Sequence, residues 1–101
     1  MKIVNENEFL EEIKEGVTLV DFYADWCGPC KMLGPILEQL SQENEDVNFI
    51  KVNVDDNNEL AAEYQVMSIP CVYLFKDGEV KANSIGLKSK ADMQSFIDKN
   101  K

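Results

Sequence analysis

Residues 17–24, Val17-Thr18-Leu19-Val20-Asp21-Phe22-Tyr23-Ala24, are apolar on both alternating faces apart from one aspartate. Successive side chains of a strand point to opposite faces, so a run of this kind must be covered on both. A sheet with helices on either side meets that demand. The flanking sequence agrees. Upstream, Asn5 and Glu8 have the spacing of a capping box, Phe9, Leu10 and Ile13 form a helical stripe, and Gly16 ends it. Downstream, a helix is expected from near Cys27, with Leu33, Ile36, Leu37 and Leu40 turned inward and Pro35 kinking it. Val47 to Val54 reads as a second buried strand, interrupted by Lys51 and Asn53. Asn57-Asn58 should cap a short helix through Leu60, Ala61 and Tyr64. Two further strands, Cys71 to Phe75 and Val80 to Ile85, flank the turn Lys76-Asp77-Gly78-Glu79. Ser89 and Asp92 open a last helix with Met93, Phe96 and Ile97 on one face. The order βαβαβ followed by αββα predicts an α/β class with a mixed sheet. At 101 residues with no linker, repeat or low-complexity tract, one domain over 1–101 is expected.

The ionisable residues narrow the chemistry. There are ten Lys, no Arg and no His against nineteen Asp plus Glu, for a net charge of −9. That balance repels nucleic acid. Without His the commonest general base and metal ligand are missing, which excludes Ser-His hydrolases, Cys-His proteases and His-ligated zinc enzymes. Without Arg there is no bidentate clamp for phosphate or carboxylate. No apolar run approaches the ~18 residues of a membrane span, and the start Met1-Lys2-Ile3-Val4-Asn5 lacks a secretory pattern. No membrane association is expected, and the reducing cytoplasm is the expected compartment. There, three cysteines point to catalysis or metal binding rather than to structural disulfides.

Trp26-Cys27-Gly28-Pro29-Cys30 falls where the buried strand gives way to a helix. Residues three apart on a first helical turn lie ~5–6 Å from each other, inside the range a disulfide accepts. Pro29 suits the first helical position, where its missing amide leaves nothing unpaired. The free amides and positive dipole end favour a thiolate at Cys27, with Lys31 adding positive potential. Cys27 is then the nucleophile and Cys30, one turn inward, the resolving thiol. A zinc half-site uses the same spacing but needs two more N or S ligands, and the chain offers only Cys71. A pair of packing cysteines is the remaining reading, poorly served by a Gly-Pro at a helix start. No metal site is expected.

The run Val20-Asp21-Phe22-Tyr23-Ala24-Asp25-Trp26-Cys27-Gly28-Pro29-Cys30-Lys31 resembles the active-site signature of the thioredoxin family. Pro35, Lys51-Val52-Asn53-Val54-Asp55, Ser68-Ile69-Pro70, Asp77-Gly78 and Gly86 follow in that family's order and spacing, so the resemblance covers the whole chain. It implies a thioredoxin fold, a five-stranded mixed sheet in the order 1-3-2-4-5 flanked by four helices. The activity it implies is general protein-disulfide reduction: Cys27 attacks a substrate disulfide, and Cys30 resolves the mixed disulfide. Gly28-Pro29 would tune the potential toward reduction. The protein itself would carry no cofactor, act as a monomer, and be recharged by a flavoprotein thioredoxin reductase. Ile69-Pro70 matches a cis-proline loop facing the dithiol, and Trp26, Ile69, Pro70 and Gly86 would form the docking surface for substrate chains. Tyr23 stands where many members have Trp, a change expected to affect local packing more than chemistry.

Two charges in apolar strands stand out. Asp21 between Val20 and Phe22 is costly to bury as an ion, so its pKa should rise. A carboxyl so placed behind the dithiol could take the proton from Cys30. Lys51 is the parallel oddity in the next strand, and the resemblance places it near Asp21 as a further catalytic candidate; packing alone would make it a snorkelling side chain. Cys71, where Thr is common, points either into the sheet or toward the docking surface, and one residue of register decides between packing and a secondary redox role. Two rival functions remain: a dithiol oxidase or isomerase on the same fold, and a thioredoxin-fold binding or structural subunit.

Overall fold

The computed structural model describes all 101 residues. Its elements are β1 (Lys2–Ile3), α1 (Phe9–Ile13), β2 (Val17–Tyr23), α2 (Gly28–Glu43), β3 (Val47–Asn53), α3 (Asn58–Glu63), β4 (Cys71–Lys76), β5 (Glu79–Ile85) and α4 (Lys90–Asn100). The five strands form one sheet in the order β1-β3-β2-β4-β5, as the family resemblance implied. β1 and β2 run parallel to β3, whereas β4 runs antiparallel to both β2 and β5. β2 is central, and Thr18 to Phe22 are all buried.

Alternation along the strands divides the apolar residues into two cores. Val20, Phe22, Ile50, Val52, Cys71 and Phe75 face Phe9, Ile13 and Leu60 of α1 and α3. Leu19, Phe49, Val72 and Leu74 face Leu33, Leu37 and Leu40 of α2 and Met93 and Ile97 of α4. The side of β2 that carries Leu19 also carries Asp21, and so turns the carboxyl toward α2.

Local signals act much as the sequence suggests. The Asn5 Oδ1 accepts from the amide of Glu8 while the Glu8 carboxylate accepts from the amide of Asn5, a reciprocal box on the turn before α1. The Ser89 Oγ accepts from the Asp92 amide and caps α4. Asp77 and Gly78 adopt φ of 51° and 85°, as a two-residue hairpin turn requires. Two expectations are corrected. Leu10 is 71% exposed, because Phe9 and Ile13, four apart, already span the inward face of the short α1. Ile36, by contrast, turns inward as expected: half-buried, it packs against the core that holds Leu33, Leu37 and Leu40. Asn57 precedes α3 without capping it; its side chain instead accepts from the Glu6 amide and donates to the Asn53 carbonyl, tying the N-terminal turn to the end of β3. α2 runs unbroken through Pro35.

Candidate active site

The chain leaves β2 at Tyr23, and the Cys27 amide donates to the Ala24 carbonyl at 3.3 Å, folding Asp25 and Trp26 into a tight bend. Cys27 is the N-cap of α2, in extended conformation, and its Sγ accepts the Cys30 amide at 3.2 Å. A sulfur thus occupies the place where a serine or aspartate oxygen usually receives a helix amide. Gly28 opens the helix and Pro29 comes second, one position later than expected and still within the turn whose amides have no helical partner. Cys27 and Cys30 are joined as a disulfide with Cα atoms 5.2 Å apart. Both are almost fully enclosed, with Ala24, Tyr23, Val54 and Ile69 packed around them. An amide and a helix N-terminus directed at Cys27 stabilise negative charge on that sulfur when the pair is reduced.

A second loop meets the first. The Ile69-Pro70 peptide is cis, and the Ile69 carbonyl lies 3.8 Å from the Cys27 Sγ. The Gly86 amide donates to the Pro70 carbonyl at 2.8 Å, with Gly86 at φ 91° in the left-handed region that favours glycine. Trp26 is 69% exposed, yet its indole is fixed: Nε1 donates to the Asp55 Oδ2 at 2.8 Å. Ile69, Pro70 and Gly86 are thus linked to one another beside Cys27, with Pro70 the buried member, and Trp26 adjoins Cys27 in the bend.

Behind the disulfide lie the two unusual charges. Asp21 is 2% exposed and its Oδ1 has no hydrogen-bond partner. Burial pushes its carboxyl up from 3.8 to about 6, against an opposing pull from Lys51. Lys51 stands opposite Asp21 in the β2–β3 register. Its ammonium does not pair with the carboxylate but sits over the Tyr23 ring, 4.3 Å from the centroid. Lys51 and Tyr23 line a cleft of about 620 Å³ that also touches Cys30 and Pro35.

The thioredoxin family model matches residues 1–99. The chain belongs to the thioredoxin family. It is 48% identical over 96 residues to a thioredoxin of Bacillus subtilis, covering 94% of this chain and 92% of the relative. A Chlamydia pneumoniae thioredoxin is 46% identical over 100 residues, covering 99% and 98%. Among solved structures, a point variant of the thioredoxin from Halobacterium salinarum superposes with a TM-score of 0.92 at 37% identity, over 98% of this chain and 88% of the other. Another likeness, with a TM-score of 0.90, 36% identity and coverage of 98% and 94%, comes from a study of thiol resolution in a yeast mitochondrial peroxiredoxin via glutathione and thioredoxin systems. The family and the Cys27–Cys30 pair make this a thioredoxin-type dithiol–disulfide oxidoreductase whose substrates are protein disulfides. No helix is long and apolar enough to cross a membrane.

Two side chains at the site escaped the sequence reading. Asp55 carries the Trp26 indole, a contact across 29 positions with no local signal. Tyr23, expected to affect packing more than chemistry, holds the Lys51 cation. Cys71 pairs with Phe22 across β2–β4 and faces the α1–α3 core, 3% exposed, so its side chain turns into the sheet. Burial, reinforced by the negative charge of Asp21, pushes its thiol up.

Proposed function

We propose that this chain is a general protein-disulfide reductase of the cytoplasm, a monomer formed by one domain over 1–101 and recharged by a flavoprotein thioredoxin reductase. The Cys27 thiolate attacks a disulfide sulfur of the substrate. An S–S bond forms between Cys27 and that sulfur, and the second substrate sulfur departs as a thiolate that takes a proton from solvent. Cys30 then gives its proton to the Asp21 carboxylate and attacks the Cys27 Sγ. The first substrate sulfur leaves as a thiolate, and the Cys27–Cys30 disulfide remains. Two electrons have passed from the dithiol to the substrate, and two electrons from the reductase restore it. In this reading Trp26, Ile69, Pro70 and Gly86 receive the substrate chain, while Gly28-Pro29 tunes the dithiol toward reduction. Lys51 assists Asp21 electrostatically.

The observation that carries the assignment of Asp21 is its unpartnered, buried Oδ1 on the sheet face that α2 covers. Desolvation gives this carboxyl proton affinity near neutral pH, which a base for a thiol needs. Single-turnover reduction of insulin, followed from pH 5 to 9, tests it. Resolution by the wild-type chain should rise as Asp21 ionises around pH 6, and Asp21→Asn should be slowed most near neutrality. Equal rates for the two proteins across the range would leave Asp21 a structural group. Turnover of insulin with NADPH and a bacterial thioredoxin reductase tests the electron source. Activity with dithiothreitol but none with the reductase would remove that partner.

A further inference from the structure

Lys51 and Asp21 face each other across β2–β3, and Tyr23 lies two residues beyond Asp21 on the same side of β2. From its place in β3 the lysine stem can therefore carry its ammonium to the carboxyl, to the ring, or out into the cleft. The ring holds it, at 4.3 Å. Lys51 enters none of the ion pairs of the protein. The Asp21 carboxyl, with one oxygen unpartnered, feels that cation without touching it.

We propose that Tyr23 is a positioning residue: its ring fixes the Lys51 ammonium beside Asp21 and so sets the charge that the buried carboxyl experiences. A half-buried lysine at the mouth of an open cleft has water within reach and rotamer freedom to gain by swinging outward. A cation over an aromatic face is attracted by the ring quadrupole, and the attraction strengthens where water is partly excluded. Remove the ring and the ammonium moves into solvent, where its field at Asp21 is screened.

The other charges near the carboxyl do not replace it. Asp25 and Lys31 are exposed on the cleft. Glu38 of α2, also on the cleft, is paired with the Met1 amine at 2.8 Å. Cys30 is held in the disulfide, and Cys71 of β4 faces the opposite core and keeps its proton to higher pH than usual. Lys51 is the one cation whose placement depends on Tyr23.

The test is a titration of the Asp21 side-chain carboxyl by carbon NMR in the oxidised full chain, in five variants and the wild type. It rests on the proposed role of Asp21 only for its catalytic meaning. If Asp21→Asn left turnover unchanged while the titration behaved as described below, the proton-acceptor reading would fail and the present one would stand. Tyr23→Leu should move the Asp21 midpoint upward by roughly 0.5–1 pH unit, since a nearby cation is withdrawn from an anion. Lys51→Gln should move it at least as far. Tyr23→Phe and Tyr23→Trp keep an aromatic face and should leave it unchanged. In the Lys51→Gln background, Tyr23→Leu should add nothing, because its effect passes through the lysine. A Tyr23→Leu shift of the same size with and without Lys51, no shift at all, or failure of Tyr23→Phe to preserve the midpoint would each overturn the proposal. A measurement on the wild type covers the case in which Tyr23→Leu does not fold. The ring current of Tyr23 should displace the Lys51 ε-methylene protons upfield, and resonances at free-lysine positions would contradict the arrangement.

Discussion

Replacing Asp21 by asparagine should stabilise the protein by an amount that depends on pH in a defined way. The native carboxyl keeps its proton until about pH 6, because burial raises it from an ordinary 3.8. Between those two values the native state binds more protons than the unfolded one, so this group's contribution to stability is lost as pH rises. Below pH 3.8 both states are protonated and Asp21 costs nothing; above about 6 the cost is complete. At 1.36 kcal/mol per tenfold change in proton affinity, the interval between 3.8 and about 6 corresponds to ~3 kcal/mol. Asparagine cannot ionise and has nearly the shape of the neutral acid. Asp21→Asn should thus match the wild type within about 1 kcal/mol at pH 4 and exceed it by ~3 kcal/mol at pH 7 and above. In urea the neutral-pH difference is a midpoint shift of about 1–3 M for slopes of 1–3 kcal/mol/M. The assay is equilibrium unfolding of both oxidised proteins at half-unit steps from pH 4 to 8. Every other carboxylate is common to the pair and cancels. A stability difference that stays flat over that range, or that closes as pH rises, would refute the claim that Asp21 is buried at the expense of its charge.

Other outcomes follow from the site. Cys27→Ser should abolish insulin reduction, whereas Cys30→Ser should accumulate a substrate-linked mixed disulfide visible as an added mass; full activity of Cys27→Ser would overturn the assigned nucleophile. Asp55→Ala frees the Trp26 indole, and loss of a bond worth ~0.5–1.5 kcal/mol should raise the KM for a protein disulfide about 2- to 10-fold with kcat little changed. A fall in kcat alone would place Trp26 outside substrate docking. Cys71→Thr should reduce insulin at close to the wild-type rate, and the native Cys71 thiol should resist alkylation until the chain unfolds, because it is 3% exposed in the α1–α3 core. Labelling of Cys71 as fast as an exposed thiol would show that this core opens readily.

The features legible in the sequence are mostly those that neighbouring residues decide. The apolar run of β2, the Asn5–Glu8 box, the Asp77-Gly78 turn and the cysteine spacing at a helix start are each set by a handful of adjacent positions. The family resemblance then supplied strand order and the Ile69-Pro70 loop. Leu10 and Asn57 depart from expectation because their periodicity or residue type fits a local role that tertiary contacts override: the inward face of α1 is filled by Phe9 and Ile13, and the Asn57 amide is used to tie two segments together. The Trp26–Asp55 bond and the Lys51–Tyr23 contact depend on how β2 and β3 align, which a one-residue slip would invert. For the same reason the face taken by Cys71 was open until its pairing with Phe22 was known.

The position of β2 also bears on how the protein comes apart. The reactive pair hangs from the end of a strand with hydrogen-bonded neighbours along both edges, whereas the sheet ends in a two-residue β1 on one side and the largely exposed β5 on the other. Openings that begin at margins consume the least free energy, so amide exchange should be fastest along β5 and slowest in β2 and β3. Gly86, which holds the Pro70 loop through its amide, follows directly after β5. A molecule frayed at that margin would release the loop proposed to receive substrate chains while the sulfur pair stayed mounted on the most protected strand. Thermal or chemical stress should therefore erode selectivity first and electron transfer last.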